Sequence, residues 1–173
     1  MPEQYFQHRF ERVEDYLHHR SPYLMVDRVL AIEDRLATTE TTINEEDFFI
    51  QGHFPGAPVV PGAMLQEMTT QSAGILLAAN RNPMQTYNTH DPQFNEFALG
   101  VLVSVVNGRF RGFARSGDHL VATVELRDEV DQLFDFSGTV RCNDRVILKN
   151  RFRLANIPSE TLIGTEAQTV TSD

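Results

Sequence analysis

The stretch Gln51 to Gly74, QGHFPGAPVVPGAMLQEMTTQSAG, places His53 in a loop crowded with Pro55, Pro58, Pro61, Gly52, Gly56 and Gly62. A Met- and Leu-rich run follows, in which Glu67 and Gln71 stand four residues apart and Gly74 three further on. On a helix those three positions share one face. A carboxylate in an otherwise apolar helix loses its hydration, so burial favours the protonated form, and a neutral carboxyl can act as a general acid. Imidazole titrates near neutrality, which makes His53 the complementary base. Pro61 and Gly62 end the loop where the helix should begin. That leaves the first backbone N–H groups free for a developing oxyanion, and Gly62 leaves room for a substrate carbonyl to approach. Such a set suits proton abstraction coupled to departure of a leaving group. The plain alternatives are a histidine bonded within its own turn and a glutamate on an exposed helix face.

The elements that must position these groups follow from periodicity. The run from Ala63 to about Ala79 contains no proline and is apolar on most sides, which predicts a central helix buried nearly all round. Phe6, Phe10, Val13 and Leu17 recur at spacings of four, three and four, predicting a short amphipathic helix at the start of the chain. YLMVDRVLAIED and LATTETTI predict a hairpin around Glu33 to Arg35. NRNPMQTYNTHDPQFNE has no usable period and reads as a long irregular connection, of a kind that often forms a lid. LGVLVSVVNGRFRGF, HLVATVELRDEV, QLFDFSGTVRCN and RVILKNRFRLA each read as a long strand. One buried helix with several antiparallel strands is an α+β arrangement. A single domain over 1–156 is expected, with a flexible tail over 157–173 to which the sequence assigns no function.

The 173 residues carry 15 Lys and Arg against 24 Asp and Glu, a formal charge of -9, which is the wrong sign for a general nucleic-acid binder. The N-terminal residues are charged throughout, and ILLAA, the longest apolar run near the centre, is far too short to cross a bilayer. With Cys142 the only cysteine, no intrachain disulfide can form, and a reducing cytoplasm is the expected setting. His18, His90 and His119 lack a spaced partner, so no metal site is expected. No phosphate-cradling loop, dinucleotide fingerprint or serine elbow is present.

Three patches together resemble the β-hydroxyacyl-acyl carrier protein dehydratases of type II fatty acid synthesis. HRSPYLMVDRV, His19 to Val29, is similar to that family's His-Arg-x-Pro-[Phe/Tyr]-Leu segment. GHFPGAPVVPG matches its Gly-His-Phe-Pro-Gly-x-Pro-x-x-Pro-Gly loop, with an acid fourteen residues after the histidine and a glutamine four beyond the acid. GRFRGFARSGDHL is similar to its third segment, although Phe113 and Ser116 stand where the family has prolines. The resemblance implies a hot-dog fold, an antiparallel sheet wrapped around the long helix, over about Phe6 to Ala155. The connection between Ala79 and Ala98 is longer than usual for the family.

By position, the resemblance implies His53 as the base that takes the proton α to a thioester and Glu67 as the acid that protonates the departing β-hydroxyl. It implies the Gly62 N–H as the group that polarises the carbonyl, and Gln71 as the residue that orients the acid. Glutamate rather than aspartate at the acid position is similar to the branch that dehydrates without isomerising. The implied reaction converts (3R)-3-hydroxyacyl-acyl carrier protein to the trans-2-enoyl thioester, in fatty acid or related lipid or polyketide synthesis, with no cofactor. A hot-dog acyl thioesterase and a non-catalytic carrier-binding subunit are the rival readings.

An extended loop from His53 to Glu67 could span roughly 30 Å, and spacing does not bring the two together within one chain. The resemblance implies a homodimer, or a higher even oligomer, whose sites take the histidine from one protomer and the acid from the other. The partner it implies is acyl carrier protein, an acidic substrate carrier, which a chain of -9 can dock only where cations gather. Arg109, Arg111 and Arg115 are the candidate docking cluster. Arg145, Lys149, Arg151 and Arg153 share one strand parity and read first as a solvated sheet face. Asp27 and Arg28 are expected to form an ion pair bracing the hairpin.

Overall fold

The structure, a computed structural model, describes residues 4–91 and 93–163. Six strands form one antiparallel sheet in the order β1-β2-β4-β5-β6-β3. They are β1 (Arg28–Ile32), β2 (Leu36–Thr42), β3 (Phe97–Phe110), β4 (His119–Val130), β5 (Leu133–Cys142) and β6 (Arg145–Pro158). A 19-residue helix, α1 (Gly62–Asn80), connects β2 to β3 and lies against the sheet, and a short α2 (Ser159–Ile163) follows β6. This is the hot-dog arrangement.

The alternation of the strands sets the inner face. In β4 and β5, Leu120, Ala122, Val124, Leu126, Phe134, Phe136 and Val140 are buried, while Glu125, Arg127 and Arg141 stand out in solvent. Phe136 and Phe152 are cross-strand partners whose rings stack 5.9 Å apart. They meet Ala73, Leu76 and Leu77 of α1. Each such large side chain contributes about 1.5–3 kcal/mol by leaving water. The two-residue link between β5 and β6 is Asn143-Asp144, both at positive φ (46° and 65°), the geometry of a type I′ hairpin.

From Met68 onward α1 is buried on every side, so its polar residues need partners. Thr39 and Ser72 share a hydrogen bond of 2.8 Å, and Asn150 Nδ2 donates to Gln66 Oε1 and Thr69 Oγ1 at 2.7 and 2.8 Å. Gly138 sits directly beneath, where a Cβ would collide with Asn150 Oδ1.

Four expectations are corrected. Phe6 to Leu17 is no helix: apart from a 3-10 turn at Val13–Asp15 it runs irregularly across the C-terminal end of α1. The Phe6 and His8 amides donate to Asn82 O and Ala79 O, at 2.7 and 2.9 Å, rather than to a turn of their own. The connection, described over 81–91 and 93–96, lacks regular secondary structure as expected but is tied to its surroundings rather than free of them. Tyr87 Oη donates to Tyr16 O, Asn95 and Asn88 bond each other, and Arg20 reaches Thr89 O. Asp27 and Arg28 both brace the hairpin, but separately: Asp27 accepts the Thr42 amide at 2.8 Å and Arg28 Nε donates to Glu40 at 2.6 Å. The domain also runs past 156, since β6 continues to Pro158 and α2 follows. The remainder of the expected tail, 164–173, lies outside the described residues.

Candidate active site

Glu67 sits on the second turn of α1, where the helix passes into the core. Its Oε1 accepts Gln71 Nε2–H at 2.9 Å, the contact that the four-residue spacing allows. Gln71 is itself fixed from outside the helix: its Oε1 takes the Met25 amide at 2.7 Å, and its Nε2 also reaches Tyr23 O at 2.9 Å. The segment from His19 to Met25 is thereby strapped over the acid. Burial raises the Glu67 pKa above the ordinary carboxylate range, and the Gln71 hydrogen bond only partly opposes it.

His53 is held by its own loop. Phe54, Pro55, Gly56 and Ala57 form a tight turn, with Ala57 N–H on Phe54 O at 2.9 Å and Gly56 at φ 80°, which the Pro-Gly pair favours. Buried Phe49, Ile50, Val59 and Val60 anchor both ends of the loop. His53 Nδ1 lies 3.0 Å from Val59 O. A carbonyl only accepts, so Nδ1 carries the ring proton and Nε2 presents its lone pair, as a base must.

Gly62 is the first residue of α1. The Met64 and Leu65 amides turn back to Pro61 O, leaving those of Gly62 and Ala63 without intrahelical partners. The Phe110 ring lies so close over Gly62 that an added Cβ would stand 2.8 Å from its Cε1, so a larger residue here would have to displace that ring.

A cavity of about 420 Å³ begins at Glu67 and follows Thr70, Gln71 and Gly74 along α1. Its other walls are Leu17 to His19, Tyr23, Tyr87, β3 from Ala98 to Leu102, and Leu162 beyond β6. The size and the predominance of apolar walls suit a small organic chain. Gly74 and Gly100, both on the cavity wall, approach so closely that a Cβ added to Gly100 would stand 3.0 Å from Gly74 Cα, and Gly100 is at φ 72°, which favours glycine. His53 does not line this cavity in the same chain. The chain thus brings Glu67, Gln71 and the cavity together, and His53 is not among the residues that line it.

Arg109, Arg111 and Arg115 are exposed, and none is ion-paired among the described residues. Arg115 lies over the ring of Phe113, which is 67% exposed. Arg109 stands directly across from Lys149 on the outer sheet face, a like-charge pair that weakens rather than supports the strand pairing. Arg151 and Arg153, by contrast, are both paired with Asp135 and belong to the sheet. Sequence reasoning passed over His19, Tyr23 and Tyr87 as cavity residues. The first two lie within the HRSPYL patch, where they carry no recognisable spacing to the acid; Tyr87 lies in the aperiodic connection.

Among the described residues no group of three or more His, Cys, Asp or Glu is placed to hold a metal ion, and no helix is long and apolar enough to cross a membrane. The fold and cavity define a hot-dog protein with an acid-lined channel, and comparison with known proteins narrows this. The FabA-like domain model matches residues 17–151. The 3-hydroxyacyl-[acyl-carrier-protein] dehydratase FabZ of Thiobacillus denitrificans is 34% identical over 140 residues, covering 79% of this chain and 89% of that protein. Among solved structures, the dehydratase heterocomplex ApeI:P of Xenorhabdus doucetiae superposes with a TM-score of 0.72 at 21% identity, over 90% of this chain and 97% of that one. A hypothetical thioesterase of Streptococcus pneumoniae with coenzyme A reaches 0.56 at 11% identity, over 76% and 85%. The chain belongs to the FabA-like family.

Proposed function

We propose that this protein is a 3-hydroxyacyl-acyl carrier protein dehydratase acting in the cytoplasm, in fatty acid or related lipid synthesis. The observation that carries the reading is Glu67, held by Gln71 on the wall of a largely apolar channel, where burial raises its pKa and so favours the protonated form. In the proposed reaction His53 Nε2 takes the proton from Cα of the (3R)-3-hydroxyacyl thioester. The C–H electron pair becomes the Cα=Cβ bond, and the Cβ–O bond breaks as the hydroxyl takes the Glu67 proton and leaves as water. The Gly62 N–H hydrogen-bonds the thioester oxygen as charge develops there. No cofactor takes part.

The site is shared between two copies in this reading. β3 is an edge strand with unpaired backbone groups, and Val103, Val105, Val106 and Phe110 on it are each about half exposed. A bare apolar edge of this kind calls for a partner, and a second β3 supplies one. It would bring His53 of one protomer to the Glu67 channel of the other. Arg109, Arg111 and Arg115 with Phe113 offer the acidic carrier a docking face near the end of β3.

The test is incubation with 3-hydroxyacyl-acyl carrier proteins of graded chain length, read by mass spectrometry. Loss of water, abolished in His53→Ala, is the expected result. Release of free carrier thiol would mark a thioesterase, and an unaltered substrate would mark a carrier-binding subunit; either overturns the reading.

A further inference from the structure

His19 takes no part in the reaction as described above, yet its Nε2 lies 3.7 Å from Glu67 Oε1. Its other ring nitrogen, Nδ1, is fully buried and has no hydrogen-bond partner. The ring is stacked on Tyr23, with centroids 6.0 Å apart and planes 18° from parallel. Burial, with His18 and Arg20 nearby, lowers the His19 pKa, so the imidazole is neutral at physiological pH. A neutral imidazole carries one N–H. With nothing opposite Nδ1 and a carboxyl oxygen opposite Nε2, that proton belongs on Nε2.

Glu67 Oε1 then accepts from Gln71 Nε2–H and has His19 Nε2–H aimed at it, which favours the acid proton on the other oxygen, Oε2. We infer that His19 is a positioning residue for the acid, directing the Glu67 proton to Oε2 and strengthening its hold on Glu67 as the carboxyl gives that proton up. At 3.7 Å the two atoms stand just beyond hydrogen-bond distance. Once negative charge builds on the carboxyl, a small closure makes the contact a charge-assisted hydrogen bond. An interaction that grows with the transition state lowers the barrier, whereas one equally strong in the ground state does not. The inference rests on the dehydratase reading for its kinetic consequence only. The other groups facing this pair are the Tyr23 hydroxyl, whose pKa is raised by burial and by Glu67, then His18 and Arg20, and, in the shared site, the imidazole of the second protomer.

The test variant is His19→Phe, which keeps a ring to stack on Tyr23 and removes only the nitrogens, with His19→Gln restoring a donor. Carbon-13 NMR of glutamate-labelled protein follows the Glu67 titration directly, its resonance assigned by its absence in Glu67→Gln. The expected result is a higher Glu67 midpoint in His19→Phe, because a donor to the anion has been lost, and partial return in His19→Gln. Turnover, kcat, should fall about tenfold with KM within about twofold, and recover in step with the midpoint. An unmoved midpoint, or an unmoved kcat, in His19→Phe overturns the inference. A shifted midpoint in a protein whose wild type dehydrates nothing leaves the His19–Glu67 contact standing and overturns the dehydratase reading instead.

Discussion

Gln71 and Glu67 are joined by a 2.9 Å hydrogen bond whose donor amide is also held by the Tyr23 carbonyl, while the Gln71 oxygen takes the Met25 amide. One side chain therefore couples the candidate acid to the segment that covers it. Gln71→Leu removes the donor and leaves the buried Met25 amide without its acceptor, which costs about 1–3 kcal/mol. For a chain of this size that corresponds to a fall in Tm of roughly 2–12 °C, measurable by thermal melt. Glu67 should also titrate higher, since the Gln71 hydrogen bond opposes the upward pull of burial.

A shared site predicts complementation. His53→Ala and Glu67→Gln should each be inactive, but a mixed dimer contains one site with both groups intact. Equal mixing with random re-pairing gives half mixed dimers, each with one working site of two, so about a quarter of wild-type activity should return. An active site formed within one chain would show no recovery after co-refolding.

Glu67 also sets a pH dependence of stability. Its folded pKa is raised, so the folded state binds the proton more tightly than the unfolded chain does. That contribution is fully present below the unfolded value of about 4.3 and is lost as pH rises through the folded one. Glu67→Gln, which cannot ionise, should therefore melt higher than wild type at about pH 8. The difference should shrink as pH is lowered toward about 4; calorimetry across that range checks it.

Carrier docking separates from chemistry by substrate choice. Arg111→Glu with Arg115→Glu should lower kcat/KM for a carrier-bound substrate by about tenfold or more, increasingly at low salt. The same pair should leave the rate with a short pantetheine thioester nearly unchanged. Equal losses on both substrates would show that the two arginines shape the site rather than the encounter.

The exposed edge of β3 can be charged directly. Val105→Lys with Val103→Lys places two charges on its apolar face without touching the buried core. Light scattering should then show the dimer dissociating, with activity lost alongside. A dimer that survives both substitutions would move the interface elsewhere.

Much of this was legible in local pattern. The helix predicted from Ala63 to about Ala79 forms over Gly62–Asn80, and the four long strands fall where β-branched runs and turn residues put them. The stripe Phe6, Phe10, Val13, Leu17 misled because a periodicity of apolar residues records burial, not backbone form. Short helices are marginal alone in water, and here the end of α1 offers carbonyls that the segment's amides take instead. The separate roles of Asp27 and Arg28 were hidden for a related reason: Glu40 and the Thr42 amide become their partners only when β2 folds back on β1.

Residue types and short spacings determined the chemistry available to this protein: an imidazole in a stiffened loop, an acid and an amide one helical turn apart, and a glycine at a helix start. These depend on backbone conformation within a few residues, which composition and periodicity specify. Only the tertiary structure decided that Gln71 is locked by Met25 and Tyr23, that His19 faces Glu67, and that the Glu67 channel of one chain contains no His53. Contacts between residues so far apart in the chain arise from packing sheet on helix, and no local spacing encodes them.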